Sequence, residues 1–353
     1  MRKLLQSFGY AVLVTIGLIV VLLLFSSLMI ATDLTKQELI DEYANEKSFF
    51  YFLPSGAEVH IRDEGNKDKP PLILLHGANG SLHNWEKLVS ELENDYRLIS
   101  FDLPGHGLTG ATPQEDYSNI AMANFTREVI GLYDFDAVTL VGHSAGGGVA
   151  LRYALMYPRE VDAMVLVSSS GMQRDEGDGP GGAYALTRSS IGLSLLRYFT
   201  PKFLLAGTLK GQVGDPDNFV TDEMVTRYWK LLRMAGSRDA AIKRYSERHL
   251  EPPLEPILRA VNPTTLLLWG SQDTVIDPKY GIEMNTQIIG SLLKLYPQAG
   301  HLAHEEMPER AAIDIRQFLT RPLYTQYPSY YPPRCPHASL LANWFFFPSC
   351  LAL

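Results

Sequence analysis

The chain has almost no cysteine: Cys335 and Cys350 are the two among 353 residues. Both fall in the last segment, so the rest of the chain offers no thiol nucleophile and no cysteine metal cluster. Clustered basic charge is missing as well. Thirty-one Lys and Arg stand against 39 Asp and Glu, a net charge of -8, which argues against a phosphate backbone as partner. No nucleic acid is expected. The glycines from Gly142 to Gly148 surround a serine and carry no lysine to reach a phosphate, so no nucleotide loop is present and no cofactor is expected. No internal repeat stands out. A hydrophobic content of 46% with 20% charged residues suits a globular chain large enough for a core of several layers.

Charge is locally absent from Phe8 to Ala31, a run long enough to cross a hydrocarbon core of about 30 Å as a helix. Arg2 and Lys3 precede it, and Asp33, Glu38, Asp41 and Glu42 outnumber Lys36 after it. By the positive-inside tendency, residues 1–32 read as a cytoplasmic N-terminus and membrane anchor, with the remainder exported. A cleaved signal peptide is the alternative. Its apolar core is usually only about 7–15 residues, and Ser26 to Ala31 offers no convincing small-x-small cleavage site. Residues 33–46 read as a linker or amphipathic helix, 47–320 as the main domain, and 321–353 as an irregular tail rich in Pro and aromatics.

The most informative segment is Val141-Gly142-His143-Ser144-Ala145-Gly146-Gly147. A Gly-x-Ser-x-Gly pentapeptide alone need do nothing chemical. Here an apolar run, Ala137 to Val141, suits a strand buried on both faces. Downstream, Val149-Ala150-Leu151 and Ala154-Leu155-Met156 keep helical spacing until Pro158. Strand, sharp turn and helix therefore occur in the order of a nucleophile elbow.

Further strands are expected at Phe49–Leu53 and Glu58–Asp63, around Pro54-Ser55-Gly56, and at Leu72–Leu75, Leu98–Phe101, Ala163–Val167, Thr265–Trp269 and Leu292–Tyr296. Their alternation with helical patterns predicts an α/β sheet, mostly parallel and covered on both faces. Residues 171 to about 260 break the rhythm with a Gly-rich stretch and helices such as Thr221 to Met234. An insertion there is expected as a cap over the carboxyl edge of the sheet.

A serine needs a base, a group to orient that base, and donors for the oxyanion. Asp273 follows the strand ending at Trp269, and His301 follows the strand ending at Tyr296. Four signatures then stand in order: His76-Gly77, Asp102-x-Pro104-Gly105-x-Gly107, Gly142-x-Ser144-x-Gly146, and Asp273 with Gly300-His301. On these the chain resembles the α/β-hydrolases from about residue 50 to residue 320. The resemblance implies Ser144 as nucleophile, His301 as general base and then acid, Asp273 as its orienting carboxylate, and the backbone N–H groups of Ala78 and Ala145 as the oxyanion hole. Asp277 and His304 are the runners-up. His143 is expected beneath the elbow, His76 and His106 as loop-ordering residues, and Asp102 as the anchor of its own Pro-Gly turn. His301 to Glu306 lacks three or four converging ligands, so no metal is expected.

The implied activity is hydrolysis of carboxylic esters. Anchor and apolar cap together resemble membrane-tethered monoacylglycerol lipases, making an apolar or lipid-like ester the expected substrate. Carbon–carbon bond hydrolases and perhydrolases share the serine and stay open as alternatives, as does a non-enzymatic binding module.

Overall fold

The computed structural model describes residues 10, 12–20, 32–175, 178–179, 189–247 and 253–320. Most of the uncharged run 8–31 lies outside the described residues, as does the tail 321–353 with Cys335 and Cys350. Among the described residues no helix is long and apolar enough to cross a membrane.

Every expected strand occurs, with ends shifted by a residue or two: β1 (Ser48–Phe52), β2 (Glu58–Gly65), β3 (Pro71–Leu75), β4 (Arg97–Phe101), β5 (Val138–His143), β6 (Val161–Val167), β7 (Thr264–Gly270) and β8 (Leu292–Tyr296). They form one sheet in the order β1-β2-β4-β3-β5-β6-β7-β8. β1 and β2 are antiparallel to each other, and β2 to β4; all pairs from β4 to β8 are parallel.

Continuous apolar runs make the central strands β3 to β7 because each face of the sheet is covered there. Ile73, Leu75, Leu140, Met164, Leu166 and Leu267 point into one core, while Leu72, Leu74, Val141, Val165, Leu266 and Leu268 point into the other. The period-2 alternation of side chains divides one apolar run between two layers. Each such Leu or Val contributes roughly 1.5–3 kcal/mol of burial.

The chain passes from β3 outward to β4 and returns to β5 on the other flank of β3. Loops leaving the carboxyl ends of β3 and β5 therefore diverge around a crevice, the usual place for a ligand in an open α/β sheet. Leu75 pairs with Gly142 in register, which sets His76-Gly77 beside the elbow.

The segment 33–46, expected as a linker or amphipathic helix, contains a helix, α1 (Lys36–Tyr43), whose N-cap Thr35 forms a capping box with Glu38. Leu39 on this helix is buried with Leu108, Leu231 and Met234. α2 (Glu86–Leu92), α3 (Asn119–Ile130) and α4 (Ala145–Met156) lie between successive strands. Among the described residues, five further α-helices stand between β6 and β7: α5 (Ser190–Tyr198), α6 (Lys202–Lys210), α7 (Pro216–Phe219), α8 (Asp222–Leu232) and α9 (Ser237–Glu247). α10 (Pro278–Gln287), α11 (Ala303–Glu306) and α12 (Pro308–Leu319) complete the described chain.

Candidate active site

β5 delivers Ser144 to the carboxyl edge of the sheet, and α4 starts at the next residue. Ser144 takes φ 52° and ψ -117°, a conformation costing a non-glycine residue about 1–3 kcal/mol. Its backbone is held by the Ser144 N–H donating to Val167 O at 2.9 Å, and by the Ser170 N–H donating to Ser144 O at 2.9 Å. The flanking glycines serve close packing rather than an unusual dihedral. A Cβ on Gly142 would lie 2.6 Å from Gly146 O, and one on Gly146 would collide with Leu75 O. The strain thus sits on the serine itself, where it lifts the hydroxyl clear of the strand.

His301 and Asp273 arrive in the loops after β8 and β7. His301 Nε2 is 2.9 Å from Ser144 Oγ, and His301 Nδ1 is 2.8 Å from Asp273 Oδ2. The other carboxylate oxygen, Oδ1, accepts the backbone N–H groups of Val275 at 2.8 Å and Ile276 at 2.9 Å. Both side chains are almost wholly buried. The His301 N–H donates to Gln212 O at 2.6 Å, so the segment between β6 and β7 also fixes the histidine loop.

Ala145 opens α4, where the free N–H groups and helix dipole favour developing negative charge. Ala78 lies in the loop after β3 and lines the same cavity as Ser144, Ala145 and His301. Asn79 beside it has φ 60°. Its side chain donates to Tyr245 Oη at 3.0 Å and accepts from Arg244 at 2.8 Å, tying that loop to α9.

The remaining candidates sort by their partners. Asp277 caps α10 through Lys279 N and does not meet His301. His304 is buried against Trp85 and His143, with ring centroids 4.5 and 4.7 Å away, and burial lowers its pKa to about 3. His143 donates Nε2–H to His301 O at 3.0 Å beneath the elbow. His76 donates to Gly77 O and accepts the Leu103 N–H, joining the loops after β3 and β4.

Asp102 does more than anchor its Pro-Gly turn. It accepts Leu108 N–H at 2.7 Å from that turn, and also Leu82 N–H at 2.8 Å and His60 Nδ1 at 2.7 Å. His60 Nε2 is 2.9 Å from Ser48 Oγ, so Ser48, His60 and Asp102 repeat the Ser–His–Asp pattern. This second set is a structural tie, because His60 and Asp102 have no exposed side-chain surface. Burial alone would raise the Asp102 pKa, but the hydrogen bond and charge of His60 hold it well below the carboxylate range. Asp102→Asn removes an acceptor from this network, and a loss of about 3 kcal/mol is expected in urea unfolding. An unchanged midpoint would rule out the tie.

Glu305 behaves oppositely. Burial raises its pKa from 4.5 to about 7, against the Asn84 hydrogen bond and the nearby Arg227 and Lys87. Asn84 Nδ2 donates to Glu305 Oε1 at 2.6 Å and to Tyr228 Oη, joining the 3-10 turn Leu82–Trp85 to α8 and α11. Because the folded-state pKa is raised, this group favours the fold below about pH 4.5 and loses that contribution as pH rises through about 7. Glu305→Gln is therefore expected to stabilise the protein by up to on the order of 3 kcal/mol at pH 9 and by little at pH 4.5, read from melting temperatures. An equal effect at both pH values would contradict this.

A cavity of about 1090 Å³ opens over Ser144, lined also by Leu205, Leu209, Tyr228, Val275 and Leu302. A side cavity of about 100 Å³, walled by Leu193, Leu196, Phe199, Leu204, Trp229 and Ile242, shares Asn79, Leu205, Thr208 and Tyr245 with it. The segment between β6 and β7 thus roofs the elbow.

A hydrogen-bonded Ser–His–Asp series under a helical roof, at the carboxyl edge of a mostly parallel sheet, is the architecture of an α/β-hydrolase. The family model described as "alpha/beta hydrolase fold" matches residues 70–308, and the chain belongs to that family. Among known proteins it is similar to an uncharacterized hydrolase of Bacillus subtilis, 28% identical over 76% of this chain and 96% of the relative. Solved structures that share the fold include the following two. A meta-cleavage product hydrolase from Pseudomonas fluorescens has TM-score 0.68 at 21% identity, covering 78% of this chain and 98% of its own. A bacterial membrane phospholipase A has TM-score 0.68 at 22% identity, covering 90% of this chain and 98% of its own.

Proposed function

We propose that the protein is a serine hydrolase of carboxylic esters with an apolar, lipid-like acyl group, working through an acyl-enzyme. The observation that carries the proposal is the relay itself: a strained, lifted Ser144 Oγ 2.9 Å from His301 Nε2, with His301 Nδ1 2.8 Å from a buried carboxylate. His301 takes the hydroxyl proton as Ser144 attacks the ester carbonyl. The N–H groups of Ala78 and Ala145 then stabilise the oxyanion, and His301 returns the proton to the leaving alcohol. Water repeats the cycle on the acyl-enzyme and releases the acid.

The apolar side cavity under the roof supports an acyl chain as the preferred occupant, since its walls are mostly hydrocarbon. The uncharged run 8–31, with Arg2 and Lys3 before it, supports attachment to a membrane, with the catalytic domain on the extracytoplasmic side. One structural neighbour, similar over 90% of this chain, is described as a membrane phospholipase A, in keeping with attachment to a membrane.

A profile of kcat/KM over p-nitrophenyl esters of two to sixteen acyl carbons is the direct test. Rising kcat/KM from acetate to a medium or long chain is expected. Preference for acetate would limit the protein to small esters, and cleavage of vinylogous diketones instead of esters would transfer it to carbon–carbon hydrolysis. Absence of any turnover would favour a binding module.

A further inference from the structure

Arg244, on α9, is the unusual charge in this cavity. One guanidinium nitrogen is 2.7 Å from His106 Nε2 and another donates to Asn79 Oδ1 at 2.8 Å. Both acceptors are neutral groups. Burial and the guanidinium itself hold the His106 pKa well below its usual value, and His106 Nδ1 donates to Pro104 O, leaving Nε2 free to accept. The Arg244 Nε is buried and has no acceptor. No carboxylate among the described residues lies within ion-pair distance of Arg244, although Glu115, Asp116, Asp175, Asp178 and Glu247 line the same cavity. Asp175 and Asp178 are instead paired with Lys279, at 2.7 and 2.6 Å.

A guanidinium held in a partly desolvated cavity without a counter-charge is a receptor for an anion. Its position is informative. Asn79, which it grips, follows Ala78, the residue assigned to the oxyanion hole, and also borders the apolar side cavity.

We infer that Arg244 binds an anionic group, phosphate or carboxylate, carried by the ester a few atoms from its scissile carbonyl. The inference deepens the serine-esterase reading and rests on it for the identity of the reacting bond. The acyl chain would occupy the apolar side cavity while the anion meets Arg244, so one face of the substrate is hydrocarbon and the other charged.

The test uses the full chain in detergent and three butyrate esters: monobutyrin, its glycerol 3-phosphate counterpart, and its glycerate counterpart, which carries a carboxylate on the alcohol side. For wild type, kcat/KM is expected to be about tenfold to a hundredfold higher for an anionic ester than for monobutyrin, the difference lying mainly in KM. Which anionic ester is preferred separates phosphate from carboxylate. Arg244→Gln should abolish the preference and Arg244→Lys should retain part of it. Equal turnover of charged and neutral esters by wild type, or an undiminished preference in Arg244→Gln, overturns the inference while leaving the esterase reading intact.

Calorimetric titration of Ser144→Ala with the same three ligands separates the two claims. Tighter binding of an anionic ligand, lost when Arg244→Gln is added, supports the anion site even if no ester is cleaved. Equal binding of all three overturns it.

Discussion

Ser144→Ala should lower kcat by about 10⁵–10⁶-fold on the best ester, with KM changed little, because the covalent step disappears while the cavity remains. His301 and Asp273 have nothing to activate once Oγ is gone, so adding His301→Ala to the variant should cost little more. A distinct outcome is expected from glycine. Ser144 holds φ 52° in a region that glycine adopts freely, so Ser144→Gly should be as inactive as the alanine variant yet more stable than wild type by about 1 kcal/mol. Kinetics and melting temperature of the two variants together separate the chemical role of the hydroxyl from the backbone strain that presents it.

Asp273→Asn should reduce kcat by about 10³–10⁴-fold without disturbing the fold. The reason lies in the two backbone donors on Oδ1. Val275 N–H and Ile276 N–H require an oxygen there, which forces the amide nitrogen of asparagine toward His301 Nδ1. The imidazole must then accept at Nδ1 and carry its proton on Nε2, facing Ser144 Oγ. In that tautomer it cannot take the serine proton. Steady-state kinetics on Asp273→Asn checks the loss, and a loss below tenfold would mean that the carboxylate does not set the tautomer.

Much of this arrangement was legible because the relay is written in local sequence. Ser144 and Asp273 each follow an apolar run that forms a buried strand, His301 follows the partly exposed edge strand β8, and the resemblance to α/β-hydrolases implied their roles. The strand pair β1–β2 was visible too, through Pro54-Ser55-Gly56 between two strand-like runs.

What could not be read lies in contacts between distant segments. Ser48, His60 and Asp102 come from β1, β2 and the loop after β4, and nothing local to His60 marks it, apart from its being a polar residue between buried Val59 and Ile61. Arg244 and Asn79 are 165 positions apart. The helix α1, in the segment expected as a linker or amphipathic helix, carries a further local signal, the Thr35-x-x-Glu38 capping box. The role of Gly142 and Gly146 was legible only in part. Sequence suggests turn-forming glycines, whereas backbone crowding is what excludes a side chain at each.

The central claim is that Ser144 is the nucleophile that carries the acyl group. Reaction of the full chain with a fluorophosphonate, followed by digestion and mass spectrometry, tests it most directly. One equivalent of adduct on Ser144 is predicted, formed far more slowly in Asp273→Asn and absent in Ser144→Ala. Modification of a different serine, or equal labelling of the Ser144→Ala protein, would contradict the account.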